Sequence, residues 1–227
     1  GKSGEYVPQP LFYRAGELRH GPDDKLLVKG EFSSFYRSNN TGLSDSLTVN
    51  EATDKVALIY NGSWARGNNY KAGGNDPTVF STNFITENHS ATLAYQNDGH
   101  LFSLRGVYNN IPYQGFVNQR MDMTGNRGYQ TEAKYEGDTD WGKVDGRLYW
   151  ATVSHKMGFL TDKQPNDMPM DTNGLDYGYA VKLDHKLNND HLMRVGSEYH
   201  GFRLNDYWQP IPPNGGIMTV QDSTTFM

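Results

Sequence analysis

His155 and Met157 stand two residues apart near the end of the run KVDGRLYWATVSHKM, in which polar and apolar residues alternate. Two further methionine pairs share this spacing, Met121 with Met123 and Met168 with Met170. On an extended chain, side chains two apart point to the same side, so each pair offers its donors in one direction. Thioether sulfur with imidazole nitrogen is a soft to borderline donor set, and thioether selects Cu(I) over harder ions. His155, Met157, Met168, Met170, Met121 and Met123 are therefore candidate metal ligands. Their surroundings are rich in Asn and Asp and give no obvious packing reason for methionine. The competing explanation is that Met fills irregular gaps and contacts aromatic rings. Phe116, Phe159 and Tyr113 are close enough in sequence to serve as those rings. The residues alone leave both explanations open.

Strands must position these donors. From Tyr129 the chain places Tyr129, Thr131, Ala133 and Tyr135 on one face, and Gln130, Glu132, Lys134 and Glu136 on the other. After a turn, Val144, Gly146, Leu148 and Trp150 form the apolar face, while Lys143, Asp145, Arg147, Tyr149 and then His155 and Met157 form the polar one. This period of two predicts strands with one apolar and one charged face. The same alternation recurs at Leu26, Val28, Gly30 and Phe32, and again at Val56, Leu58, Tyr60 and Trp64. A pair is expected around 84–95 and 101–108, and a last pair over 176–187 and 191–207. That last pair sets Tyr177, Tyr179, Val181, Leu183, Met193, Val195 and Tyr199 against Lys182, Asp184, Arg194, Glu198 and His200. Among the remaining histidines, His20, His89, His100 and His191 read as ordinary surface residues.

Connection lengths sort the strands further. EATD, QNDGH, GDTDWG and NNDH are short and join strands as hairpins. The alternate connections, at about 66–82, 109–127, 158–174 and from 208 onward, are long and rich in Asn, Gly and Pro. In an up-and-down sheet this puts short turns at one end and long loops at the other, as in transmembrane β-barrels. Tyr36, Trp64, Tyr95, Tyr108, Trp141, Trp150 and Tyr199 fall towards strand ends, where an interfacial girdle belongs. The expected fold is all-β, an antiparallel up-and-down transmembrane β-barrel segment of about nine strands. An odd count does not close a single-chain bacterial barrel, so a larger barrel is implied. The alternative is a soluble β-barrel or sandwich binding module whose core is the Tyr- and Trp-rich face.

Composition narrows the function classes. The chain of 227 residues has no cysteine, 15 Tyr, 25 Gly and a formal charge of -5. Mean hydropathy is -0.75. Neither a disulfide framework nor a Cys metal site is available, and no basic patch marks a nucleic-acid surface. No stretch approaches the roughly 20 apolar residues of a membrane helix. The start, Gly-Lys-Ser-Gly, shows no signal peptide, and residues 1–24 read as an irregular lead-in. No GxSxG, HExxH or dinucleotide fingerprint is present, so no enzyme is expected. The stretch 137–143, GDTDWGK, imitates a phosphate loop, but Val144 stands where Ser or Thr is required, and the stretch reads as a hairpin turn.

The runs IPYQGFVNQRMDMTGN, KYEGDTDWGKVDGRLYWATVSHKM, MPMDT and RVGSEYHGFRLNDYWQP resemble the barrel region of TonB-dependent outer-membrane receptors. The resemblance is nearest to a metal-related branch that includes copper receptors. FYRSNN, NYKAGG and ENHSATLAYQNDGH resemble the same branch, so the likeness covers about residues 26–225. It implies a 22-stranded barrel around an N-terminal plug, energised through a TonB box; neither plug nor box is recognisable here. Residues 25–227 are then a partial barrel, and 1–24 a linker or plug remnant. The implied function is uptake of a metal or metal complex across the bacterial outer membrane. The HxM and MPM patterns favour copper as cargo, with an iron–siderophore or other chelate as the alternative. Implied partners are the metal or chelate, outer-membrane lipid, and the TonB complex acting through a plug outside this chain. No catalytic cofactor and no nucleic acid are expected.

Overall fold

Short turns and alternating strands produce one continuous sheet. A computed structural model describes residues 26–74, 77–165 and 169–208, and the backbone of 220–226. The lead-in at 1–24 and Met168 lie outside the described residues. Twelve strands follow in chain order: β1 (Leu27–Arg37), β2 (Gly42–Ala52), β3 (Val56–Gly67), β4 (Tyr70–Lys71), β5 (Thr78–Val79), β6 (Phe84–Asn97), β7 (His100–Gln114), β8 (Asp122–Thr139), β9 (Gly142–Gly158), β10 (Met170–Lys186), β11 (Leu192–Trp208) and β12 (Val220–Phe226). Ten of them form a sheet in the order β1-β2-β3-β6-β7-β8-β9-β10-β11-β12, and β4 and β5 pair separately within the connection after β3. Every pairing is antiparallel. The architecture is up-and-down and all-β.

Two expectations about counts and bounds change. The nine long strands are joined by a tenth, β12, in a region read as a terminal loop. The odd count therefore disappears. The sheet nonetheless does not close, because β1 and β12 stand at opposite edges. The strands also run further into the expected loops. β7 extends to Gln114 and β8 starts at Asp122, so Met123 belongs to a strand rather than a loop. Met170 likewise begins β10. The ladder continues as long as backbone N–H and C=O groups find partners, whatever the hydropathy of the side chains. That is why Asn- and Gly-rich flanks are strand here.

The apolar face is open. Register carries one row from Leu58 through Leu93, Leu104, Ala133 and Leu148 to Tyr179. Of these, Leu58, Leu93, Leu104, Leu148 and Tyr179 are exposed. The buried apolar cluster consists of Ala52, Ala57 and Ala94 with Leu27 and Leu101 packed against it. Among the described residues no second sheet covers either face of the ten strands, so a two-layer sandwich is not the arrangement.

The turns opposite the loop end are tight. Residues 53–55, 98–99, 140–141 and 187–191 make these connections. At the β8–β9 turn Gly142 has φ +129 and a Cβ there would collide with the carbonyl O of Asp184, so glycine is required. This turn is the hairpin expected at GDTDWGK.

Candidate metal site

Three of the six candidate donors meet in one cross-strand row. Met123 of β8 faces Met157 of β9, and Met157 faces Met170 of β10. The row continues to Gln114 of β7 on one side and Trp208 of β11 on the other. Residues directly opposite in an antiparallel pair have Cβ atoms about 4.5–5.5 Å apart on the same face. The register sets the three methionines side by side on adjacent strands. All three methionines are partly buried.

A bulge makes this row possible. The β8–β9 register shifts between Met123 and Gly125. The extra residue, Thr124, lets Met123 face Met157 while Asn126, three residues on, still faces His155. His155 is one step below the row, and its Nδ1 lies 3.0 Å from Asn126 Oδ1. An amide oxygen only accepts, so Nδ1 is the donor here, which in the neutral ring leaves the Nε2 lone pair for a ligand. A side chain that fixes the tautomer in this way is what a ligating histidine needs.

The remaining candidates are placed differently. Met121 lies one residue before β8 and has no strand partner. Met168 lies outside the described residues. Among the described residues, no group of three His, Asp or Glu could hold a metal. A metal bound at the methionine row would meet thioether sulfur with imidazole nitrogen, a donor set that suits a soft ion. The packing explanation has a partner as well, since Trp208 faces Met170 at the end of the row.

Two loops flanking the row are tied together by Asp122, a residue the sequence reading overlooked. Its carboxylate is fully buried. Oδ1 accepts from the backbone N–H of Phe116 at 2.8 Å and from Lys163 Nζ at 2.7 Å. Lys163 also donates to the carbonyls of Phe116 and Gln119 at 2.7 and 2.9 Å. The β7–β8 and β9–β10 connections are thereby joined beside Met123. A second tie reaches the β3–β6 connection, where Asp162 accepts from Ser81 N–H and from Asn69 Nδ2 at 3.0 and 2.8 Å. Asn69 Oδ1 in turn receives the N–H groups of Thr82 and Asn83. The one early signal was the position of Asp122 between Met121 and Met123.

His89 also departs from its reading as a surface residue. It sits within β6 on the apolar face, with Nδ1 2.7 Å from Tyr60 Oη and Nε2 3.0 Å from Glu87. Its ring stacks near Tyr60 and Tyr108, and Tyr108 contacts Tyr129. This aromatic band lies between the loop end and the leucine row. Further towards the loops the same face turns polar, with Asn173, Asp171 and Lys156. The methionine row is level with that polar region.

No protein-family model and no curated protein matches this sequence. Solved structures do resemble its fold. One is described as the copper transporter OprC, with a TM-score of 0.66 and 14% identity, over 82% of this chain. The chain spans 30% of that protein's length. At this identity the likeness shows the fold alone.

The buried Asp122–Lys163 pair makes a direct prediction. Asp122→Ala leaves an ammonium and backbone N–H groups without their acceptor, and breaking such a pair costs about 3–5 kcal/mol. Limited proteolysis should then cut within 115–121 and 159–165 far faster than in the parent protein. Unchanged cleavage would show that the pair does not hold the loops.

Proposed function

We propose that this chain is part of an outer-membrane β-barrel receptor that takes up a metal ion or metal complex, with copper as the favoured cargo. The observation that carries the reading is the row Met123–Met157–Met170 beside His155. Thioether sulfur carries no proton to lose, and imidazole binds a soft cation through its nitrogen lone pair. The name of the copper transporter with a similar fold supports the same cargo.

Membrane location is supported by the open apolar face. Exposed leucines stand in register across several strands, which a protein in water does not sustain over so large a patch. A bilayer removes that cost, and it accepts sheets whose backbone groups are all paired. Strands of 17 or 18 residues, as in β8–β11, exceed the ~9–11 needed to cross. The excess carries the methionine row beyond the apolar band to the loop side, where cargo arrives from outside. Movement inward then requires energy from a TonB-type partner and a plug, as the resemblance implies.

Two measurements test the halves of this reading. Cu(I) titration of the full-length protein in detergent, against a competing chelator, should show at least tenfold weaker binding in Met157→Ala/Met170→Ala. Equal affinity would remove the row from the site. For the membrane half, Leu148→Arg in the middle of the apolar face should lower stability by about 2–4 kcal/mol in lipid. Urea unfolding from vesicles reads this directly, and a neutral effect would contradict a lipid-facing Leu148.

A further inference from the structure

The donor row has no counter-charge of its own. Three thioethers and a neutral imidazole contribute no negative charge, so a bound cation would keep its full charge on a face partly withdrawn from water. Such a charge needs a nearby carboxylate.

Asp206 is placed to supply it. Thr172 of β10 faces His155 on one side and Asp206 of β11 on the other, so His155, Thr172 and Asp206 form a single row. One step towards the loops, Met170 faces Trp208. Asp206 is thus the diagonal neighbour of Met170, a spacing of about 7–8 Å that longer side chains span. Its Oδ1 is buried and has no hydrogen-bond partner. A buried carboxylate oxygen without a donor is costly to keep and calls for a partner that the described residues do not provide.

The nearest acid by register is Asp222 of β12, which faces Asp206 directly. Three other acids near the row are already engaged. Asp122 holds Lys163 at 2.7 Å. Asp171 lies 3.8 Å from Lys156 on the opposite face of the sheet. Deeper on the polar face, Asp176 is 3.1 Å from His200.

We propose that Asp206 is the charge-compensating group of the methionine–histidine row, holding its negative charge beside the bound cation. This rests on the reading of that row as a metal site. It makes the site selective by charge as well as by softness, because neutral thioether-binding ligands gain nothing from a carboxylate.

The test is Cu(I) titration of the full-length protein, comparing the parent with Asp206→Asn, Asp206→Glu and Asp176→Asn. Asp206→Asn keeps the shape and removes the charge, and should bind Cu(I) roughly tenfold more weakly, a shift suited to one nearby charge of partly screened strength. Asp206→Glu should restore most of the affinity, which a purely structural role for the aspartate shape would not allow. Asp176→Asn should bind as the parent does. Should Asp206→Asn fail to assemble, Asp206→Ser makes the same comparison. Parent-like binding by the uncharged variant, or equal weakening by Asp176→Asn, would overturn the role of Asp206 and leave the methionine row standing. A parent protein that binds no Cu(I) would overturn both.

Discussion

Cross-strand register is the constraint on which this structure depends. Side chains alternate between faces with a period of two, so a slip by one residue on β9 would move His155 and Met157 to the apolar face. The same slip would bring Lys143, Asp145 and Arg147 onto the surface that carries Leu148 and Trp150. The tight turns fix the register at one end. The Gly142 turn is the clearest instance, because a Cβ there would collide with the Asp184 carbonyl. One of the register shifts, between Met123 and Gly125, brings a third sulfur into line.

The two ends of the sheet then do different work. Near the tight turns the polar face carries a ladder of charges, among them Asp184 with Arg194 at 2.8 Å. Near the loops the ladder gives way to Gly128, Val153 and Gly174, then to His155, and finally to the methionines. The transition passes from hard, solvated groups to soft and weakly polar ones along the same strands. Loops that would otherwise sway above the methionines are joined by Asp122–Lys163 and by Asp162 with Asn69 and Ser81. The donors rest on strands, and the loops around them are braced.

Much of this was legible in the sequence because period and turn chemistry are local. The apolar sets at Val56, Leu58 and Tyr60 and at Tyr177, Tyr179 and Val181 occupy one face as expected, and the four hairpin turns read from the sequence lie together at one end, although the equally short β1–β2 turn at 38–41 lies at the other. What was hidden depends on contacts distant in sequence. Asp122 and Lys163 are 41 residues apart, and neither has a local pattern that announces the other. His89 looked ordinary because its partners Tyr60 and Tyr108 stand on neighbouring strands. The alignment of Met123, Met157 and Met170 in one row needed both a register and a bulge, and a bulge leaves little trace in hydropathy. Met123 and Met170 lie in strands rather than loops because the backbone ladder continues through polar, Asn-rich flanks whose composition resembles loops.

In the proposed site three sulfurs on three adjacent strands act together on one soft ion. X-ray absorption at the copper edge, on the full-length protein loaded with one equivalent of Cu(I), observes the donors directly. Sulfur scatterers from Met123, Met157 and Met170, with one nitrogen from His155, are the predicted first shell. A shell of oxygen and nitrogen without sulfur would contradict it.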